Sequence, residues 1–349
     1  MVWVVFHLLK TDENHNSYNK NTKHVSILIA VRNEAPNIIF LINQILKQSY
    51  SLFELIIIDD HSTDETISLL NKITNSKVKW YQLPKGKKGK KEAIKFGLTK
   101  CNYPWVILTD ADAKHEKDWL LSYISKMTDE AVIVAPVFIN INQSNFFQHF
   151  QQLDYAALQY ITIAAIIAKK PFLCSGANMA IPKNRAIELY DTIQTSIPSG
   201  DDVFLLHKHV EQKGNVILNL LPSSVVFVPS TKRFVNFLQQ RLRWASKAKN
   251  YKNTVALWVS FLIFLLHFCL LQGIVWGIFY SSLLKITFAL LFIKMLIDLP
   301  LFIVGNKIIP LHKKWYFYYP LVSLTYFLYI STIAILSFIV PIKWKNRTW

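Results

Sequence analysis

The sequence predicts an α/β domain built on a parallel sheet, followed by a membrane region of about three helices. Three observations predict it. Short β-rich apolar runs alternate with helical stretches from Val25 onward, three of those runs end in polar, mostly acidic clusters, and the long uninterrupted apolar runs all lie after about residue 254. The bulk composition agrees: of 349 residues 52% are hydrophobic and 14% aromatic, and the mean hydropathy is +0.24. That is too apolar for an ordinary soluble protein of this size, so part of the chain belongs in lipid.

The elements follow in order. The opening MVWVVFHLL is too short to span a bilayer, and the polar TDENHNSYNKNTK follows it without a small-residue cleavage site. Residues 1–23 therefore read as an interfacial anchor, a stub of a membrane helix or a tail. VSILIAV, ELIIID, VKWYQL and WVILTD read as strands, separated by helices over 36–48, 64–73 and 90–98. Strand–helix alternation of this kind makes βαβ units, and ligands of such sheets bind beyond the carboxyl ends of the strands. Residues 144–170 form a helix with an apolar face, either interfacial or buried in a core.

Residues 24–231 are expected to be one domain, and 232–254 an amphipathic helix rich in Lys, Arg and aromatics that suits an anionic lipid surface. Within 255–349, the runs 255–280, 283–304 and 318–340 each approach the ~20 residues a helix needs to cross the hydrocarbon core. Lys294 and Asp298 inside the second run can pair at i, i+4, which lowers the cost of charge at that depth. Orientation stays open, because Lys307, Lys313 and Lys314 lie across the third run from Lys343, Lys345 and Arg347.

The formal charge of +17 raises a nucleic-acid partner, but the basic residues gather in a lysine loop and near the membrane runs, and no recognition motif appears. Membrane lipid or a nucleoside diphosphate suits that distribution better. Cys101, Cys174 and Cys269 form no CxxC pair and indicate a reducing compartment. Three spans without an internal repeat make a poor transport pathway.

Five segments carry chemistry. IIIDDHSTDET places Asp59 and Asp60 at a strand end, where a carboxylate can accept hydrogen bonds from a base or ribose; Ser62 or Asp64 caps the next helix. VILTDADA places Asp110 and Asp112 two apart after another strand, where oxygen ligands can reach a hard divalent cation. Between them KGKKGKKEA brings Lys85, Lys87, Lys88, Lys90 and Lys91 to a helix N-terminus, either to hold a diphosphate or as a solvated charged loop. Downstream, Ser175-Gly176-Ala177 reads as a turn that lets backbone approach a substrate. Asp201 and Asp202 start a helix, as a general base or as N-caps.

In this order DDHSTD, the lysine–glycine loop, DAD, SGAN, GDD and QQRLRW resemble the motif series of the family 2 inverting glycosyltransferases, over roughly residues 24–250. The resemblance implies a glycosyltransferase A-type nucleotide-binding sheet, Mg2+ or Mn2+, a nucleotide-sugar donor such as a UDP-sugar, and a lipid or saccharide acceptor. It implies that Asp60 binds the nucleoside, that Asp110 binds uridine diphosphate or the sugar, with Lys90 in the donor site, and that Asp112 holds the metal. Asp202 matches the catalytic base, with Asp201 as its supporting, acceptor-side neighbour. Gln240, Arg243 and Trp244 match QxxRW, whose Arg meets the diphosphate and whose Trp packs on the acceptor.

The implied setting is a multi-pass cell-membrane protein with its catalytic domain in the cytoplasm, making polysaccharide or glycolipid. Lys95, His61 and GDD depart from the pattern of polymerising members, which leaves processivity open. Competing classes are a nucleotidyltransferase of similar sheet architecture, which gives no reason for the QxxRW helix, and a non-enzymatic membrane- or nucleic-acid-binding protein.

Overall fold

The structure, a computed structural model, describes residues 1–10, 22–128, 130–193, 200–251, 253–341, 343–344 and 347–348. Most of the polar stretch expected at 11–23, and Lys345 of the tail, lie outside the described residues. In chain order the first elements are α1 (Val2–Leu8), β1 (Val25–Val31), α2 (Ile38–Leu46), β2 (Phe53–Asp59), α3 (Thr66–Leu70), β3 (Val78–Gln82), α4 (Lys90–Leu98) and β4 (Trp105–Thr109). Next come α5 (Trp119–Ile124), β5 (Val132–Val134), β6 (Val137–Asn140), α6 (Phe146–Ile167), β7 (Asn178–Pro182), α7 (Lys183–Thr192), α8 (Asp201–Glu211), β8 (Val216–Leu218) and β9 (Val226–Pro229). The remaining helices are α9 (Phe234–Ala245), α10 (Thr254–Gly277), α11 (Ser281–Ile308) and α12 (Trp315–Ile339).

The chain forms two compact units: Asp12–Phe138 with Ala168–Pro229, and Met1–Thr11 with Ile139–Ile167 and Ser230–Trp349. The division is not linear along the chain. Residues 139–167, inside the expected 24–231 segment, belong to the unit that holds the long apolar helices.

The first unit is built on a seven-stranded sheet of order β3-β2-β1-β4-β7-β5-β8. β1, β2 and β4 are almost continuous Val, Ile and Leu because both faces of the sheet are covered, and nearly all their residues are buried. The first four strands are parallel, as the βαβ pattern predicts. The sheet is nevertheless mixed, since β7 runs antiparallel between β4 and β5. β7 was not legible as a strand because its five residues follow the SGA turn with no alternation of their own. Its first residue, Asn178, explains the insertion. The fully buried side chain donates to the carbonyls of Pro136 (2.7 Å) and Ser224 (2.8 Å), and accepts from Trp119 Nε1 (2.9 Å) and the Tyr123 hydroxyl (2.8 Å). All four of its hydrogen-bonding positions are used.

In the second unit α1 packs on α6 and α11, so the apolar N-terminal run is a docked helix. α6 is buried along most of its length, polar residues included, in keeping with the core-helix reading of 144–170. Among the described residues α10, α11 and α12 are long and apolar enough to cross a membrane. Small residues let them approach: an added Cβ at Gly277 would meet the Leu284 backbone at 2.9 Å. Lys294 and Asp298 pair at 2.7 Å within α11, as their spacing predicts.

Asn178→Ala should strand the Trp119 and Tyr123 donors and the Ser224 carbonyl in the core of the sheet, whereas the Pro136 carbonyl keeps the Val226 amide. A loss of about 3–5 kcal/mol is expected, at ~1–3 kcal/mol per unsatisfied group and with partial relaxation, read from thermal or denaturant unfolding of the full chain.

Candidate active site

Two strand ends and two helix starts converge in the sheet unit. β2 ends in Asp59 and Asp60, both buried. One Asp59 oxygen accepts from the Ser62 amide at 3.0 Å, closing the turn after the strand. Asp60 accepts from the Gly89 amide at 3.0 Å and so ties the end of β2 to the lysine loop. Arg32, just beyond β1, donates to the carbonyls of Asp60 (2.7 Å) and His61 (2.6 Å). His61 sits at φ +54°, in the left-handed region that favours glycine. Asp64 caps α3, accepting from the Thr66 amide at 3.0 Å and from its hydroxyl.

The five lysines of the loop divide by environment. Lys85, Lys87 and Lys88 are exposed, whereas Lys91 is buried with its ammonium 5.3 Å from the Phe204 ring centre. Gly89 takes φ +95° to turn the chain into α4, which makes Lys90 the first residue of that helix. The Lys90 ammonium meets the Asp110 carboxylate at 2.5 Å. Burial works against its charge, but Asp110, Asp201 and Asp202 outweigh burial and hold its pKa above the ordinary lysine value. Lys90 therefore stays protonated and is the cation around which three of the predicted carboxylates gather.

Asp110 follows β4 directly, and half-buried Asp112 lies one turn residue further on. The strand end is braced from beneath. Thr109 Oγ1 is 2.8 Å from His115 Nε2, and burial pushes the His115 pKa down to about 3, so the ring is neutral when it packs on Trp119. No charge from His115 competes for Asp110 or Asp112.

Gly200, at φ +89°, is the N-cap of α8, so neither following acid is needed for that role. Asp201 is buried and accepts from the Tyr190 hydroxyl at 3.1 Å. Burial, with Asp201 and Asp202 alongside, raises the Tyr190 pKa well above the tyrosine range, so it remains a donor. Asp202 is half-buried: one oxygen accepts from the Gly176 amide at 2.9 Å, the other from the Val203 amide at 2.8 Å. The Ser175-Gly176-Ala177 turn is thus a backbone rest for the Asp202 carboxylate. A Cβ at Gly176 would lie 3.2 Å from the Asp202 Cβ.

The structure brings Asp110, Asp201 and Asp202 each into electrostatic range of Lys90, links Asp60 to the same loop, and sets Asp112 beside Asp110. Among the described residues no three His, Cys, Asp or Glu side chains form a metal cluster by themselves. Gln240, Arg243 and Trp244 lie on α9 in the membrane-helix unit, where Trp244 packs 5.6 Å from the Tyr155 ring. Sequence reasoning missed Arg241, which is buried within the same motif and ion-paired with Asp154 of α6. A lone acid on an otherwise apolar helix face was the available signal.

Residues 26–188 match the family model for Glycosyl transferase family 2. It is similar to the poly-beta-1,6-N-acetyl-D-glucosamine synthase of Staphylococcus aureus, with 28% identity over 138 residues. That stretch is 38% of this chain, and the match spans about a third (33%) of the relative's own length. Among solved structures, the mannosyltransferase PcManGT from Pyrobaculum calidifontis, in complex with GDP-Man and Mn2+, superposes with a TM-score of 0.61 at 17% identity. The superposition covers 97% of this chain and 93% of that one, and it shows a shared glycosyltransferase A-like mixed sheet.

Gly176→Val should displace the Asp202 carboxylate while leaving the nucleotide side of the sheet intact. Sugar transfer is expected to fall about 10- to 100-fold, as for an ångström-scale misplacement of a reacting group, with nucleotide affinity unchanged by calorimetry.

Proposed function

We propose that this protein transfers a sugar from a nucleotide-sugar, most simply a UDP-sugar, to the hydroxyl of a lipid or saccharide acceptor at the cytoplasmic face of the cell membrane, inverting the anomeric centre. The observation that carries the reading is the arrangement around Asp202. Two backbone amides aim its carboxylate, and Lys90, itself paired with Asp110, lies in electrostatic range of it at the carboxyl edge of the sheet. The membrane setting is supported by three helices of sufficient length and apolarity, and the nucleotide-sugar class by the family and by GDP-Man in the mannosyltransferase of like fold.

In this reading Asp60 takes the nucleoside, with its backbone held by Arg32, while Lys90 and Asp110 flank the diphosphate and sugar. Arg243 meets the diphosphate through charge-assisted hydrogen bonds. Gln240, Trp244 and Asp201 serve the acceptor side. Asp202 removes the proton from the acceptor hydroxyl, whose oxygen forms the new bond to the anomeric carbon as the bond to the diphosphate oxygen breaks. The proton ends on Asp202, and the electron pair of the broken bond leaves with the nucleoside diphosphate. One displacement inverts the configuration.

Asp110 and Asp112 also suit Mg2+ or Mn2+. A hard divalent ion would take one or two carboxylates here and the rest of its oxygen ligands from substrate phosphates and water. That fits a pair of strand-end acids without a further acidic, His or Cys ligand cluster among the described residues. When bound, such an ion neutralises the charge that builds on the leaving diphosphate.

Excess chelator, or Asp112→Ala, should reduce nucleotide release from the donor by about 100-fold or more, and added Mn2+ should restore only the chelated wild type. Activity unchanged by chelation would remove the metal from the scheme. Asp202→Asn keeps the size of the side chain and its ability to accept from Gly176 but removes its basicity. Transfer should fall at least ~100-fold, the usual scale for a lost general base, with donor affinity nearly unchanged. Near-native transfer by that variant, or a product that retains the donor's anomeric configuration by NMR, would refute the displacement.

A further inference from the structure

The membrane-helix unit contains a charged pair that none of the proposed chemistry uses. Arg241 of α9 and Asp154 of α6 lie 2.8 Å apart with their side chains only 3% and 4% exposed. Burying such a pair is costly in itself, and removing one partner leaves an uncompensated charge, so its presence calls for a role beyond stability. Its surroundings indicate one. The Arg241 guanidinium carbon sits 4.2 Å from the centre of the Trp244 ring and 4.8 Å from that of Phe237. Tyr155, the residue after Asp154, meets Trp244 with ring centres 5.6 Å apart. Asp154 is gripped in turn from α12, where the Tyr326 hydroxyl donates to one of its oxygens at 2.6 Å and the Tyr329 hydroxyl to the other at 3.3 Å.

Apart from Asp154, the guanidinium has the Tyr329 hydroxyl within hydrogen-bond reach. Its reach to Gln240 is long, at 3.4 Å, and the ring faces of Phe237 and Trp244 attract a cation without fixing its direction. Burial opposes its charge, but the field of Asp154 prevails, so Arg241 is a permanent cation tied to one carboxylate. The carboxylate sets the place of the guanidinium, and the guanidinium sets the plane of the indole.

We infer that Asp154 is a positioning residue for the acceptor platform: through Arg241 it fixes the orientation of Trp244, and through Tyr326 and Tyr329 it anchors that platform to helix α12. The inference rests on the acceptor role proposed for Trp244. Asp154 touches no substrate in this scheme. An acceptor with a fixed geometry at the indole face would feel any loosening as weakened capture rather than as a slower reaction once bound.

The test uses the full-length protein, purified in detergent and labelled with 5-fluorotryptophan, with the Trp244 fluorine resonance assigned by Trp244→Phe. Membrane vesicles of the source cell supply the acceptor, and transfer is followed as vesicle concentration rises. Asp154→Asn removes the charge opposite Arg241 but keeps an oxygen for Tyr326. It should shift and broaden the Trp244 resonance and raise the half-saturating vesicle concentration about tenfold, with saturated rate and nucleotide affinity within about twofold. In the Trp244→Ala background the same change should have no further effect, since the two act as one unit.

An unmoved Trp244 resonance, an unchanged vesicle dependence, or nucleotide affinity falling in step with transfer would each overturn the positioning role. If Trp244→Ala raises the half-saturating concentration while Asp154→Asn does not, the positioning inference alone fails. If Trp244→Ala itself leaves that concentration at its native value, the acceptor reading beneath it fails. Should Asp154→Asn not fold, the double change Tyr326→Phe with Tyr329→Phe removes only the two hydroxyls. A rise of about threefold, with the Trp244 resonance displaced, is then the expected result, and native behaviour the contrary one.

Discussion

The parallel pairing of β1 with both β2 and β4 is the constraint on which the catalytic unit depends. Val25 lies opposite both Phe53 and Trp105, so the three strands start level, with β4 ending short of the other two. Side chains inside those strands are covered and mostly apolar, and the first residues beyond two of them are acids: Asp60 after β2 and Asp110 after β4. A one-residue slip of either neighbour would exchange its side chains between the two covered faces and move the acid beyond it by one place along the edge. The observed register carries the carboxylates to a common edge. The site is a by-product of hydrophobic packing that evolution has been able to furnish with polar ends.

Clustered acids would repel one another at that edge. Lys90 resolves the problem, because it gains from Asp110, Asp201 and Asp202 more than it loses by leaving water. Its placement requires a glycine at φ +95° immediately before it and a helix that begins at that point. Gly200 does the same for α8, freeing Asp201 and Asp202 from capping. Two glycines in conformations that other residues rarely adopt thus decide where one cation and two anions stand. A bulkier turn would move the charges by ångströms, a large distance where Coulomb energy varies inversely with separation.

The membrane-helix unit follows a different logic. Its long helices expose apolar residues and use small residues, backbone-satisfied hydroxyls and two ion pairs, Lys294–Asp298 within a helix and Arg241–Asp154 between helices. The first pair is local to one helix and stabilises it alone. The second joins helices distant in sequence. Pairs of that second kind can specify one packing among several, since a mismatched arrangement leaves a buried charge unpartnered. α6 is the link: its sequence lies between strands of the sheet unit, yet its burial is among the C-terminal helices.

The sequence by itself determined the four parallel strands, the start of α4 at Lys90, the three apolar spans and the Lys294–Asp298 pair. Each rests on local information: alternation of apolar runs, a glycine before a helix, a run of about 20 apolar residues, or two charges one helical turn apart. Motif order also brought Asp60, Lys90, Asp110, Asp112, Asp201 and Asp202 to attention before any geometry was known. What only the tertiary structure decided involves partners far apart in the chain. β7 enters antiparallel because Asn178 satisfies four groups drawn from Trp119, Tyr123, Pro136 and Ser224. Asp202 leans on Gly176, and Arg241 finds Asp154, across separations that no periodicity records. Local pattern fixes which face of an element is apolar; which polar group meets which is set by closure of the whole chain, where every buried donor must find its acceptor.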